Sequence, residues 1–76
     1  MRNITSDDRV ELSTHMGIGQ YADRVAKTYL CKDYYEVDFF KSDKLVETRV
    51  METDGTYHSE TYADSAAENY VLGYIP

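Results

Sequence analysis

Tryptophan is absent from the 76 residues, proline occurs once and cysteine once. A lone Cys31 excludes an internal disulfide framework and a zinc site built on several thiolates. Four glycines and a single terminal proline exclude collagen-like or linker-like character. No run of 18 apolar residues exists to span a membrane. Residues 50–76 contain no Lys or Arg, yet carry Glu52, Asp54, Glu60, Asp64 and Glu68. An end with acids and no Lys or Arg repels nucleic acid and anionic lipid and attracts basic surfaces.

What is present fits one small domain, 1–76. The apolar fraction of 42% is too high for a disordered chain. A domain of this size hides only about 60% of the surface its unfolded chain exposes. A deep small-molecule pocket would consume that core, whereas self-association would add to it. The formal net charge is −6 and there are eight tyrosines. Tyrosine, with an apolar face and a polar tip, suits half-covered cores and interfaces. The N-terminus, Met1 to Asp8, lacks the apolar stretch of a signal peptide. With a free cysteine, this predicts a cytoplasmic protein.

Residues 1–18 read as a short helix or an ordered arm. Ser6 with Asp7 and Asp8 resembles a helix start, although Arg9–Ser13 alternates as a strand would. After Gly17-Ile18-Gly19, the residues Tyr21, Ala22, Val25, Ala26 and Tyr29 recur with helical spacing and predict a helix over about 19–31. Tyr34–Phe40 and Leu45–Met51 predict an antiparallel hairpin. A two-residue loop at Ser42-Asp43 would set Phe40 opposite Leu45, Asp38 opposite Glu47, Glu36 opposite Arg49 and Tyr34 opposite Met51. The core face would then hold Tyr35, Val37, Phe39, Val46, Thr48 and Val50. Asp54-Gly55 signals a turn, and Thr56–His58 a short third strand. Ser59 reads as a cap, Ala63, Ala66, Ala67 and Tyr70 as an apolar stripe, and Gly73 as the stop of a helix over about 60–72. The expected fold is α+β: an N-terminal helix, an antiparallel hairpin or three-stranded sheet, and a C-terminal helix packed on the sheet.

Tyr35–Val71, and within it Tyr62-Ala63-Asp64-Ser65-Ala66-Ala67-Glu68-Asn69-Tyr70, resembles the strand–strand–helix unit of small uncharacterised bacteriophage and mobile-element proteins. The resemblance implies a phage-type accessory protein acting in the host cytoplasm and carries over no functional residues.

Catalytic and metal chemistry have little to stand on in the sequence. His15 and His58 lie in unrelated segments, and Cys31 has no assigned partner. No phosphate-binding loop or calcium loop occurs. Neither an enzyme nor a cofactor is expected. Two surfaces suggest binding. Glu60, Asp64 and Glu68, at i, i+4 and i+8, form a carboxylate row about 6 Å apart per step, suited to a basic groove. Against this stands the reading that the row is a solvated helix face. The outer hairpin face would gather Tyr34, Asp38, Phe40, Leu45, Glu47 and Met51, aromatic, aliphatic and acidic groups together. The resulting expectation is a non-enzymatic inhibitor or modulator that docks on a host protein with a basic surface. The alternative is a self-associating assembly protein whose outer sheet face forms a homodimer. Nucleic acid and membranes are not expected as partners.

Overall fold

The computed structural model describes residues 9–74. Four antiparallel strands form a sheet in sequential order: β1 (Val10–Met16), β2 (Arg24–Leu30), β3 (Tyr35–Lys41) and β4 (Lys44–Val50). A 3-10 turn at Gly19–Tyr21 links the first two. A separate two-stranded ribbon, β5 (Glu52–Thr53) and β6 (Thr56–Tyr57), precedes the one α-helix among the described residues, α1 (Glu60–Val71). The helix packs on β2 and β3 and touches β1.

This layout overturns the expected one. There is no helix over 19–31. Val25, Thr28 and Tyr29 are good strand formers, and β2 lies between β1 and β3 with ladder partners on both sides. Its apparent helical spacing arises because both faces carry apolar or small groups. Ala26 and Thr28 are fully buried beneath the helix, while Val25 and Tyr29 sit half-buried on the opposite face. No N-terminal helix exists among the described residues either. The alternation after Arg9 becomes β1, and the expected helix start at Ser6-Asp7-Asp8 lies outside the described residues. The sheet has four strands, and Thr56-Tyr57 joins the ribbon instead of extending it.

The hairpin register is also corrected. Phe40 does face Leu45, but Phe39 then faces Glu47, Asp38 faces Thr48, Val37 faces Arg49 and Glu36 faces Val50. Val46 is the extra residue of a bulge. The unbulged register would have set Asp38 against Glu47, a repulsive cross-strand pair. The bulge exchanges that repulsion for a hydrogen bond from Thr48 Oγ1 to Asp38 Oδ1 at 2.7 Å. Thr48 and Val50 consequently lie on the face away from the helix, while Glu47 and Arg49 share the helix side. Val46 is exposed and outside the core.

The core joins Ala26, Val37 and Phe39 of the sheet to Met51 and to Ala63, Ala67, Tyr70 and Val71. Alanine at the contact lets the helix approach closely, and Tyr70 fills the remaining space by meeting Phe39 edge-on at 4.9 Å. The Tyr70 hydroxyl donates to the Phe40 carbonyl at 3.0 Å, tying the helix end to β3. Ser59 caps α1 by accepting from the Tyr62 N–H. Gly73, with φ +86°, ends it, and its bare Cα admits the Tyr21 ring. Gly17 is needed for a different reason: a Cβ there would overlap the Tyr21 carbonyl.

Candidate protein-binding face

One face of the sheet is covered by α1; the other has no element of the described residues over it. Strand parity assigns to this uncovered face Glu11, Thr14 and Met16 of β1, Val25, Lys27 and Tyr29 of β2, Glu36, Asp38 and Phe40 of β3, and Leu45, Thr48 and Val50 of β4. It divides into a polar half and an apolar half.

The polar half is self-satisfied. Asp38 and Glu36 are only 4% and 8% exposed despite lying on the uncovered face. Arg9 covers them. Its Nη1 meets Glu36 Oε1 at 3.0 Å and Asp38 Oδ1 at 3.2 Å, its Nη2 meets Asp38 Oδ2 at 3.2 Å, and its guanidinium lies 4.0 Å from the centre of the Tyr29 ring. The Asp38 hydrogen bond holds the Arg9 guanidinium charged well above its ordinary value. Burial, with the Asp38 charge adding to it, raises the Tyr29 phenol. These groups satisfy one another and leave little for a ligand.

The apolar half offers contact surface. Thr14, Met16, Val25, Lys27, Phe40 and Asp43 line a shallow depression, with Leu45 beside Phe40 across the ladder. Met16 is 70% exposed and Leu45 54%. The Lys27 ammonium lies 5.7 Å from the centre of the Phe40 ring. Apolar groups edged by a few charges, on an open sheet face, suit contact with another protein.

The two surfaces expected from sequence come apart in the structure. Of the outer hairpin set, Phe40, Leu45 and Asp38 share the uncovered face, with Asp38 buried beneath Arg9. Glu47 lies on the helix side, and Met51 is core at 2% exposure. Tyr34 belongs to the β2–β3 connection and stacks on Tyr57, ring centres 5.2 Å apart. Of the carboxylate row, Glu60 and Glu68 are exposed, but Asp64 turns to the sheet. Ser13 Oγ donates to Asp64 Oδ1 at 3.0 Å, and His15 Nε2 lies 3.4 Å from the same oxygen. The row is thereby interrupted at its middle. Met16, Val25 and Lys27 fall in segments whose sequence pattern predicts an arm and a helix; the alternation of Val25, Lys27 and Tyr29 is the signal in the sequence that marks them as one strand face.

Ser13, His15 and Asp64 assemble three residue types familiar from nucleophilic catalysis, but not their geometry. His15 Nε2 faces both Ser13 Oγ, at 3.3 Å, and Asp64. A relay needs one ring nitrogen for each partner. The Ser13 proton already goes to Asp64, so the buried Thr28 hydroxyl donates to Ser13 at 2.6 Å. The cluster is a clasp between β1, β2 and α1. Cys31 is buried, and desolvation, together with the Glu36 charge, pushes its thiol up, away from the reactive thiolate. No group of three or more His, Cys, Asp or Glu side chains among the described residues gathers to hold a metal ion, and no helix among them is long and apolar enough to cross a membrane.

No protein-family model, curated protein or solved structure matches the chain.

Proposed function

We propose that this is a non-enzymatic binding domain that docks a protein partner on the apolar half of its uncovered sheet face and modulates that partner by occupying it. The observation that carries the reading is the exposure of Met16 and Leu45 beside Val25 and Phe40 on the sheet face opposite the one that packs α1. Buried apolar anchors supply most of the energy of a protein interface. The partner it fits presents apolar side chains within a basic surface, because the chain carries a net charge of −6 that steers basic proteins towards it. Glu60 and Glu68 contribute to that field at long range, while the contact itself is made by the sheet.

The test compares capture from a host lysate by three immobilised forms. Met16→Gln with Leu45→Gln removes the apolar anchors at unchanged charge. Glu60→Gln with Glu68→Gln removes two charges from the helix. A specific protein held by the wild type should be lost with the first pair and held more weakly, with less dependence on salt, by the second. Capture that survives the first pair and disappears with the second would move the interface to the helix.

A further inference from the structure

β4 is an edge of the sheet, and all seven of its residues are exposed. Such an edge presents unpaired backbone N–H and C=O groups to any strand of matching register. α1 packs on β2, β3 and β1, leaving a recess on its side of β4 lined by Arg49, Tyr62, Ser65, Ala66 and Asn69. A neighbouring sheet could therefore continue past β4 without displacing either helix. The bulge at Val46 leaves Glu47–Val50 in regular register, so half the edge is straight.

We propose that two copies of this chain join along β4, antiparallel about a two-fold axis through Thr48, to make one continuous eight-stranded sheet. The register follows from two constraints. Outward-pointing backbone groups alternate along a strand, so residues opposite one another in a two-fold pair must be an even number of positions apart. The axis must then pass through a residue and not between two. An axis through Glu47 sets two carboxylates opposite each other, and one through Arg49 sets two guanidiniums opposite each other; both arrangements repel. An axis through Thr48 sets Glu47 of each copy opposite Arg49 of the other, twice, with the two threonines facing across the axis.

The charges needed are already poised. Within one chain, Arg49 Nε meets Glu47 Oε2 at 2.9 Å and Nη2 meets Oε1 at 3.0 Å, and both side chains remain nearly half exposed. In the pair, these four groups form a cluster of alternating sign. The self-complementarity is isologous, as a two-fold interface requires. This inference is independent of the reading of the uncovered face; it would place two such faces side by side on the same side of the joined sheet.

The experiment is sedimentation equilibrium on the full chain at rising concentration, with two reversals. The wild type should shift from 8.8 kDa towards twice that mass. Glu47→Arg alone and Arg49→Glu alone should each stay at the lower mass, because each sets like charges across the axis. Mixed in equal amounts, the two variants should regain the higher mass, since every cross-axis pair is then opposite in sign. Both positions are exposed, and circular dichroism checks that each variant is folded. As a measurement needing no substitution, hydrogen exchange of the wild type should slow with concentration at amides within Glu47–Val50. A wild type that stays at 8.8 kDa up to millimolar concentration overturns the proposal. So does a dimer that both single variants form as readily, and so does a mixture of the variants that stays at the lower mass.

Discussion

Arg9 and Arg49 each make an ion pair, and their surroundings give the two pairs different weight. Arg9 meets two carboxylates that the sheet and the Tyr29 ring remove from water, whereas Arg49 and Glu47 lie open to solvent. Breaking a buried pair leaves an uncompensated charge and costs about 3–5 kcal/mol, and an exposed pair is worth about 0–1 kcal/mol. Arg9 is itself one-fifth exposed, so Arg9→Met should cost about 3 kcal/mol and Arg49→Met less than about 1 kcal/mol. Urea unfolding at dilute, monomeric concentration checks both. Equal losses would mean that water reaches Glu36 and Asp38. At the edge, the Arg49 hydrogen bond holds the Glu47 carboxyl below its ordinary range. A depressed acid of this kind contributes stability above the ordinary carboxylate range, and the contribution is lost as pH falls through its lowered value. Cys31 has the opposite sign. Its raised thiol contributes most below the ordinary thiol value of 9.0, and the contribution fades as pH rises towards the raised one.

At the scale of elements, the turn and the bulge of the β3–β4 hairpin jointly set which side chains face the helix. Ser42 and Asp43 have φ +54° and +67°, the positive pair of a type I′ turn, built here without glycine. Asp43→Gly should relieve the side-chain crowding at that position and stabilise the domain by up to about 1 kcal/mol, which for a domain of this size is a rise of roughly 4–8 °C in Tm per kcal/mol. Asp43→Val, β-branched at positive φ, should lower it. A thermal melt separates the two, and a fall with glycine would show that the Asp43 side chain itself supports the turn. The turn was legible from Ser42-Asp43 between two alternating runs, and it gave the Phe40–Leu45 pair correctly. The bulge one residue later was not, because Val46 is as good a strand residue as its neighbours. What favours it is the distant pairing of Asp38 with Thr48 and Arg9, which no local pattern contains.

For the molecule as a whole, the arrangement of charge matters more than its sum. Arg9 is committed to Glu36 and Asp38, Arg49 to Glu47, and the C-terminal third has no Lys or Arg. Binding to nucleic acid draws on released counterions and needs several cations on one surface. Arg24, Lys41 and Lys44 are neighbours along the β2–β3–β4 ladder, but the net charge of −6 opposes a polyanion, and we expect no shift of DNA or RNA in a gel at physiological salt and low micromolar protein. A shift there would overturn the assignment of the partner to a basic protein surface. The apolar half of the sheet and the Glu47–Val50 stretch of the β4 edge share no residue, so the proposed pairing along the edge would leave the face free for the proposed partner.

By itself the sequence determined the parts governed by neighbours in the chain. These are the capped C-terminal helix with its alanine stripe, the two alternating runs that became β3 and β4, the glycine stop at Gly73 and the acidic C-terminal third without Lys or Arg. Each depends on spacing within a few residues or on composition alone. Only the tertiary structure decided that Arg24–Leu30 is a strand, since its ladder partners lie on β1 and β3 and pair both of its edges. It also decided that Met51 enters the core, that Asp64 turns from the carboxylate row to Ser13 and His15, and that Val46 is left over at the bulge. In each case the deciding partners lie on other elements, so their burial, hydrogen bonds and charge act only once the fold has brought them near.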